Sequence, residues 1–143
     1  ASFALFKHPN HDDIRSEGNA CIRQGKDSKP LIDAQITKYR KDGLPVPSLC
    51  YATGALIRDL SSPAVAELNE AWCAEIVSGS LRDQIGLPFV FWRHNFAPSV
   101  LQGNVFYNKY LVPMPHSNSS FRKKFSRRLA LYLYTFGLLR KGI

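Results

Sequence analysis

The sequence predicts an α/β domain in which a mixed sheet is flanked by helices. Apolar runs of strand length alternate with segments whose apolar residues recur every three or four positions. The chain has 143 residues, which is enough for one domain with a core of its own. Its hydrophobic content of 45% and aromatic content of 12% exclude a disordered polypeptide.

The first strand and the first helix are joined by a polar loop. Residues 2–6 (SFALF) form a short apolar run that is typical of a buried strand. Residues 7–13 follow as a loop with a proline, where a strand commonly presents a site. Asp12 or Asp13 is placed to cap a helix of about a dozen residues, which Gly25 should end.

A second helix and a second strand come next. The helix should start at Ser28, with Pro30 in its first turn. Its apolar stripe consists of Ile32, Ile36 and Tyr39. Residues 44–48 must be an extended connection, because they contain two prolines that a helix interior does not tolerate. Residues 49–58 are predicted to be a strand, in which Gly54 marks either a bulge or a close approach of the backbone.

The third helix has the clearest start, since Ser61 and Ser62 precede Pro63. Its helically spaced apolar residues are Val65, Leu68, Trp72 and Ile76. A tight turn at Gly79 leads into a fourth helix, for which Ser80 is the predicted cap. The third position of that helix would be Asp83, an acidic variant of the Ser-x-x-Glu capping box.

The fourth helix continues into a strongly apolar run, and a last strand is expected after it. Residues 85–92 are apolar enough to be buried almost all round. Residues 93–98 then form a loop, and residues 104–112 are predicted to be a strand that two prolines close.

Positive charge is concentrated at the carboxyl end of the chain. The net charge is +8, and residues 115–143 contain seven basic residues and no acidic one, so the preceding part carries only about +1. Residues 117–143 are predicted to be a basic amphipathic helix that follows a domain of residues 1–116. Over residues 119–141 this helix either docks on its own domain or a partner protein, or lies on an anionic membrane surface. Nucleic acid is an unlikely partner, because the charge is confined to this tail.

The length of the apolar runs and the number of cysteines indicate the cellular compartment. No apolar run approaches the ~20 residues that cross a bilayer, and the basic-then-apolar pattern of a signal peptide is missing. The three cysteines are odd in number and widely spaced, which excludes a disulfide framework and predicts reduced core thiols. We therefore expect a cytoplasmic protein that is either free or peripheral to the inner face of the membrane.

The strongest candidate site is the polar triplet Arg82, Asp83 and Gln84 at the mouth of the apolar run. Carboxylate and amide oxygens accept hydrogen bonds while guanidinium and amide nitrogens donate them, so such a triplet can hold the hydroxyls of a sugar. The alternative is that Asp83 only caps the helix and favours its positive end. His8 and His11 form a His-x-x-His pair, which on a loop is weak evidence for a metal.

Several stretches together resemble a glycosyltransferase-like domain family, long catalogued as of unknown function, found in plant mucilage-related and bacterial polysaccharide-cluster proteins. The resembling stretches are Phe3-Ala-Leu-Phe-Lys-His-Pro-Asn10, Glu17, Ala20-Cys21, Asp33-Ala-Gln35, Tyr39, Gly43, Ile57-Arg58, Trp72, Glu75, Ser80-Leu-Arg-Asp-Gln84 and Pro88-Phe-Val-Phe-Trp92. They cover roughly residues 2–98 in a constant order. Two positions depart from the family pattern: Gly86, where serine is more frequent, and Cys73, where a second tryptophan is common.

The resemblance implies the acceptor-side part of a nucleotide-sugar glycosyltransferase with a GT-A-like fold. Such enzymes bind a divalent metal, Mn or Mg, and the donor diphosphate at an Asp-x-Asp motif. This chain contains no Asp-x-Asp, so either the nucleotide-binding half and its metal precede Ala1 in a longer parent protein, which we expect, or this chain does not bind a nucleotide sugar alone. The expected partners are a nucleotide-sugar donor and a glycan acceptor.

The resemblance also assigns roles to single residues. Asp83 would be catalytic, either deprotonating the acceptor or holding hydroxyls of the transferred sugar. Arg82, Gln84, His8 and Lys7 would bind substrate, with the guanidinium neutralising charge on the departing diphosphate. His116 lies where many such enzymes place a late metal-binding histidine, and the alternative is a surface histidine.

Overall fold

In the computed structural model of the protein, which describes residues 2–106, 108 and 111, three strands and four helices form the α/β architecture that the sequence predicts. The chain divides into two compact units, residues 1–104 and residues 105–143. All the elements described below belong to the first unit. In the second unit, the Asn108 side chain donates to the Val105 carbonyl and accepts from the Leu111 amide.

The sheet is small and mixed. The strands β1 (Phe3–Lys7), β2 (Tyr51–Arg58) and β3 (Ser99–Leu101) lie in the order β2-β1-β3. The central strand β1 is antiparallel to β2 and parallel to β3. Its first four residues are buried, as expected for a strand covered on both faces.

A bulge interrupts the pairing of β1 with β2, as one reading of Gly54 predicts. Leu5 lies opposite Leu56, whereas its neighbour Phe6 lies opposite Ala52, so the residues between Ala52 and Leu56 have no direct partners. Gly54 is at the middle of this interruption. The bulge bends β2 where the strand passes the carboxyl end of β1.

The helices α1 (Ile14–Arg23) and α2 (Lys29–Lys41) begin and end close to the predicted positions. Asp13 caps α1 through a 2.7 Å bond from the Arg15 amide, and its other oxygen accepts from the Ser48 amide at 2.8 Å. Gly25 follows α1 with a φ of 61°, a conformation that glycine adopts without strain. The Asp13 side chain thus also fixes the proline-containing connection before β2.

The helices α3 (Pro63–Ser78) and α4 (Asp83–Arg93) are joined by a short turn. The prediction that Ser80 caps the fourth helix is wrong, because α4 begins at Asp83 and the cap position is occupied by Arg82. The Ser80 hydroxyl instead donates to the Asp27 carboxylate, more than 50 residues earlier in the chain. Helix α4 also extends to Arg93, one residue into the predicted loop.

Helix α4 lies between two hydrophobic clusters, as its apolar sequence predicts. The first cluster joins it to β1, β2 and α3 through Phe3, Leu5, Tyr51, Val65, Leu68, Trp72, Leu87, Val90 and Phe91. The second cluster joins it to α1 and α2 through Ile14, Cys21, Ile32, Ile36, Tyr39, Leu44, Ile85 and Phe89. Only its last apolar residue, Trp92, is substantially exposed, at 38%.

Three further predictions are corrected or fall outside the described residues. The third strand is β3, earlier in the chain than the predicted residues 104–112, and residues 105 and 106 form a turn. Cys73 is exposed on α3, whereas the other two cysteines are core thiols as predicted. His116 and the basic segment 117–143 lie outside the described residues. No helix among the described residues has the length and apolarity needed to cross a membrane.

Candidate functional site

The loop after β1 is organised around His8. The His8 amide continues the sheet ladder by donating to the Cys50 carbonyl at 2.9 Å. The imidazole Nδ1 accepts from the amides of His11 at 2.9 Å and Asn10 at 3.3 Å. Because Nδ1 acts as an acceptor, the proton of neutral His8 must be on Nε2. The His11 ring stacks on the His8 ring, with 4.7 Å between their centroids.

Both imidazoles face the carboxylate of Glu17, which is only 4% exposed. Glu17 Oε2 lies 3.4 Å from His11 Nε2 and 3.7 Å from His8 Nε2. The other oxygen, Oε1, accepts from the Cys21 thiol at 3.1 Å, one helical turn further along α1. Within the part of the chain that the structure describes, no lysine or arginine pairs with this carboxylate, and its neighbours are two imidazoles and a thiol.

The side chains of His8, His11 and Glu17 offer three potential metal-ligand atoms within 4.8 Å of one another. The hydrogen bonds of His8 argue against a metal there. A histidine that binds a metal through Nε2 carries its proton on Nδ1 and donates it, but His8 Nδ1 accepts two backbone amides. Only His11 and Glu17 then remain, and Mn²⁺ or Mg²⁺ prefers oxygen-rich, six-coordinate surroundings. This cluster therefore does not fit the divalent metal that the resemblance implies.

Burial shifts the pKa values of several groups around Glu17. Burial lowers the pKa of His8, while the Glu17 charge acts in the opposite direction. Burial also raises the pKa of the Cys21 thiol to about 11, with Glu17 adding to the rise and Arg82 opposing it. The pKa of Cys50 rises to about 12, mainly through burial. Both thiols are protonated at neutral pH, which excludes them as resting nucleophiles.

The polar triplet lies at the amino-terminal end of α4, and all three of its side chains are half-buried. Asp83 is the first helical residue, and its Oδ1 accepts from the Gln84 amide at 3.0 Å. Its carbonyl accepts from the Trp72 indole at 2.9 Å. Arg82 has a buried Nε atom with no hydrogen-bond partner among the described residues. An unpaired buried donor is costly, so the guanidinium has unused binding capacity.

Pro88 leaves the Gln84 carbonyl available for a contact that connects the triplet to the loop after β1. Pro88 lies inside α4 and lacks the amide that would otherwise bond to the carbonyl of Gln84. That carbonyl instead accepts the Cys50 thiol at 3.9 Å. Since the Cys50 carbonyl also accepts the His8 amide, a single residue of the connection before β2 contacts both the loop and the triplet.

The structure thus brings most of the predicted site residues to one end of the first unit. His8 and the triplet share contacts with Cys50, and the Arg82 charge reaches the Cys21 thiol that hydrogen-bonds to Glu17. Lys7 departs from this group, since its exposed side chain pairs with Asp12 at 3.2 Å.

Sequence reasoning gave no site role to Glu17, Asp27 or Gln35. Glu17 could have been found from local spacing. A glutamate six residues after a His-x-x-His pair and one turn into a helix can face both imidazoles. The other two act on a turn about 45 to 53 residues away, and no local pattern indicates such contacts.

In comparisons with protein-family models, with curated proteins and with solved structures, nothing matches this chain. What is established is an α/β fold with a three-stranded mixed sheet and four helices.

Proposed function

We propose that this chain is the acceptor-side part of a nucleotide-sugar-dependent glycosyltransferase that acts in polysaccharide or glycoconjugate assembly. One observation supports the proposal above the others. Two stretches of the resemblance, the loop after β1 and the triplet before α4, are about 75 residues apart in sequence and meet around Cys50. A sugar hydroxyl site needs such a convergence of donors and acceptors.

In this proposal the triplet contacts substrate. Asp83 uses one carboxylate oxygen for the Gln84 amide, and a carboxylate can accept several further bonds, including those of an acceptor hydroxyl. The buried Arg82 Nε has no hydrogen-bond partner among the described residues, and the positive charge of the guanidinium suits the diphosphate of a leaving nucleotide. His8 shapes its own loop and does not touch substrate, because both of its nitrogens are directed to protein groups.

Gly86, where the resembling family more often has serine, affects the packing of helices and not the polar triplet. A Cβ at that position would lie 3.3 Å from the Glu75 Cβ and 3.5 Å from the Tyr39 hydroxyl. Glycine therefore allows α4 to lie close to α3 and α2 behind the triplet.

The test is consumption of nucleotide sugars, with Mn²⁺ or Mg²⁺ and a glycan acceptor, by the parent polypeptide that contains this chain. Asp83→Asn should lower turnover about a hundredfold, which is the order expected when a general base is lost. Asp42→Asn makes the same chemical change at the other end of α4, where Asp42 lies 3.8 Å from Arg93, and should leave turnover within about twofold. A folded wild-type protein that consumes no nucleotide sugar, or an Asp83→Asn variant with full turnover, contradicts the proposal.

A second candidate function rests on the seven uncompensated positive charges of residues 115–143. In this alternative, the chain is a non-catalytic module that docks on an anionic membrane or an acidic partner through residues 119–141. Sedimentation with phosphatidylserine vesicles, before and after deletion of residues 119–143, tests membrane docking through this segment. Vesicle binding that the deletion does not reduce contradicts this candidate.

A further inference from the structure

The turn between α3 and α4, which precedes the triplet, is held by the side chains of two residues that are distant in sequence. Asp27 lies between α1 and α2, and Gln35 lies on α2. We propose that Asp27 and Gln35 are positioning residues that set the placement of Arg82, Asp83 and Gln84. The inference about substrate turnover rests on the proposed transferase function. The inference about placement does not.

Asp27 acts on the turn through its carboxylate. Its Oδ2 accepts from the Ser80 hydroxyl at 2.5 Å and from the Leu81 amide at 2.9 Å, while Oδ1 accepts from the Ser28 amide at 2.7 Å. The Ser80 hydroxyl in turn accepts from the Arg82 amide at 3.1 Å. Two successive amides before α4 are thus satisfied, directly or through one hydroxyl, by a carboxylate more than 50 residues earlier in the chain.

Gln35 fixes the same turn from helix α2. Its side-chain oxygen accepts from the Ser80 amide at 3.0 Å, and its nitrogen donates to the Tyr39 hydroxyl at 2.6 Å and the Glu75 carbonyl at 3.2 Å. Both Gln35 and Ser80 are buried, so these bonds are shielded from water. A Cβ on Gly79 would lie 2.5 Å from the Gln35 side chain, which shows how closely the two are packed.

These contacts hold the residues that precede α4. No side chain caps α4 from Arg82, and the amides before the helix bond to Asp27 and Ser80. A cap from a neighbouring residue would move with the helix end, whereas these bonds tie the helix end to α2 and to the α1–α2 connection. Misplacement of a catalytic group by about 1 Å can lower turnover by about a hundredfold.

The placement can be measured through the Trp72 indole, which donates to the Asp83 carbonyl. The chain has only two tryptophans, so a ¹H–¹⁵N spectrum of the full 143-residue chain contains two indole signals, and Trp92 serves as the internal reference. Asp27→Asn should shift the Trp72 signal and leave that of Trp92 in place. Asp42→Asn should leave the Trp72 signal unchanged.

The effect of the same positions on turnover is measured in the nucleotide-sugar assay. Asp27→Asn should lower kcat at least tenfold while KM for the donor changes less than threefold, because the binding groups remain and their alignment is lost. Asp27→Glu keeps the acceptor charge and should recover part of kcat.

The outcomes separate the two proposals. An unmoved Trp72 signal in a folded Asp27→Asn variant, or a moved signal with unchanged kcat, overturns the positioning role. A wild-type protein without transferase activity overturns the proposed function, and the Trp72 signal then decides alone whether Asp27 places the triplet.

Discussion

The two halves of the segment from Ser80 to Arg93 are held by different forces. Its packed half, helix α4, lies between two apolar clusters, with Phe91 in edge contact with Phe3 at 5.1 Å and Tyr51 at 5.6 Å between ring centroids. Its polar half, the turn of residues 80–82 before the helix, is held by side-chain hydrogen bonds from Asp27 and Gln35 to Ser80. Packing keeps the helix in the core, and directional polar contacts keep its exposed end in one orientation, as a binding site requires.

The largest expected effect comes from breaking the packed half. Phe91→Ala removes a buried ring that contacts three other aromatic rings and should cost about 3–5 kcal/mol of unfolding free energy. Urea denaturation followed by circular dichroism measures the loss. Leu81→Ala, at a side chain that is 72% exposed beside the polar turn, should change stability by less than about 0.5 kcal/mol. Similar losses in both variants would contradict the distinction between the two halves.

An intermediate effect is expected from the polar half. Gln35→Leu keeps much of the side-chain volume and leaves the buried Ser80 amide without its acceptor, which should cost about 1–3 kcal/mol. The same urea titration measures this cost. Gln102→Leu, at an exposed position, is the matched change and should be nearly neutral. A neutral Gln35→Leu would mean that the Gln35 hydrogen bonds do not stabilise the turn.

The smallest effect is a pH dependence at the loop after β1. Burial lowers the pKa of His8 in the folded state, so the unfolded chain takes up its proton at a higher pH than the folded chain. The His8 contribution is therefore fully present above about pH 6.5, the unfolded value, and is lost as the pH falls towards the lower folded pKa. His8→Asn should flatten the decline of unfolding free energy below pH 6.5, measured by urea titrations from pH 5 to 8. Parallel curves for the two proteins would show that His8 makes no such contribution.

Apolar periodicity predicts most of the fold. The stripes of α2 and α3 and the short run of β1 are local patterns, and the buried Ile32, Ile36, Tyr39, Val65 and Leu68 follow from them directly. The predicted third strand at residues 104–112 lies later in the chain than the observed one, because β3 has only three residues and forms by pairing with β1 rather than by its own pattern. Tertiary pairing of this kind leaves a weak local signal.

The candidate site was predictable in part. The triplet was recognised as polar chemistry beside a buried helix, and the structure places it beside the His8 loop. The capping role of Ser80 was wrong because a serine three residues before an acid is a local signal, and here the competing acceptor, Asp27, is distant in sequence. Contacts across such separations are decided by the whole fold, and local spacing does not encode them.

The unequal burial of the three thiols has a practical consequence. Cys73 is exposed, whereas Cys21 and Cys50 are enclosed, and burial raises their pKa values to about 11 and about 12. An alkylating reagent at neutral pH should therefore attach one label per native molecule, on the third helix, and two more only when the core opens. The rate at which Cys21 and Cys50 are alkylated therefore measures how often the core of the protein opens. No further label is needed to observe opening beneath the proposed sugar site.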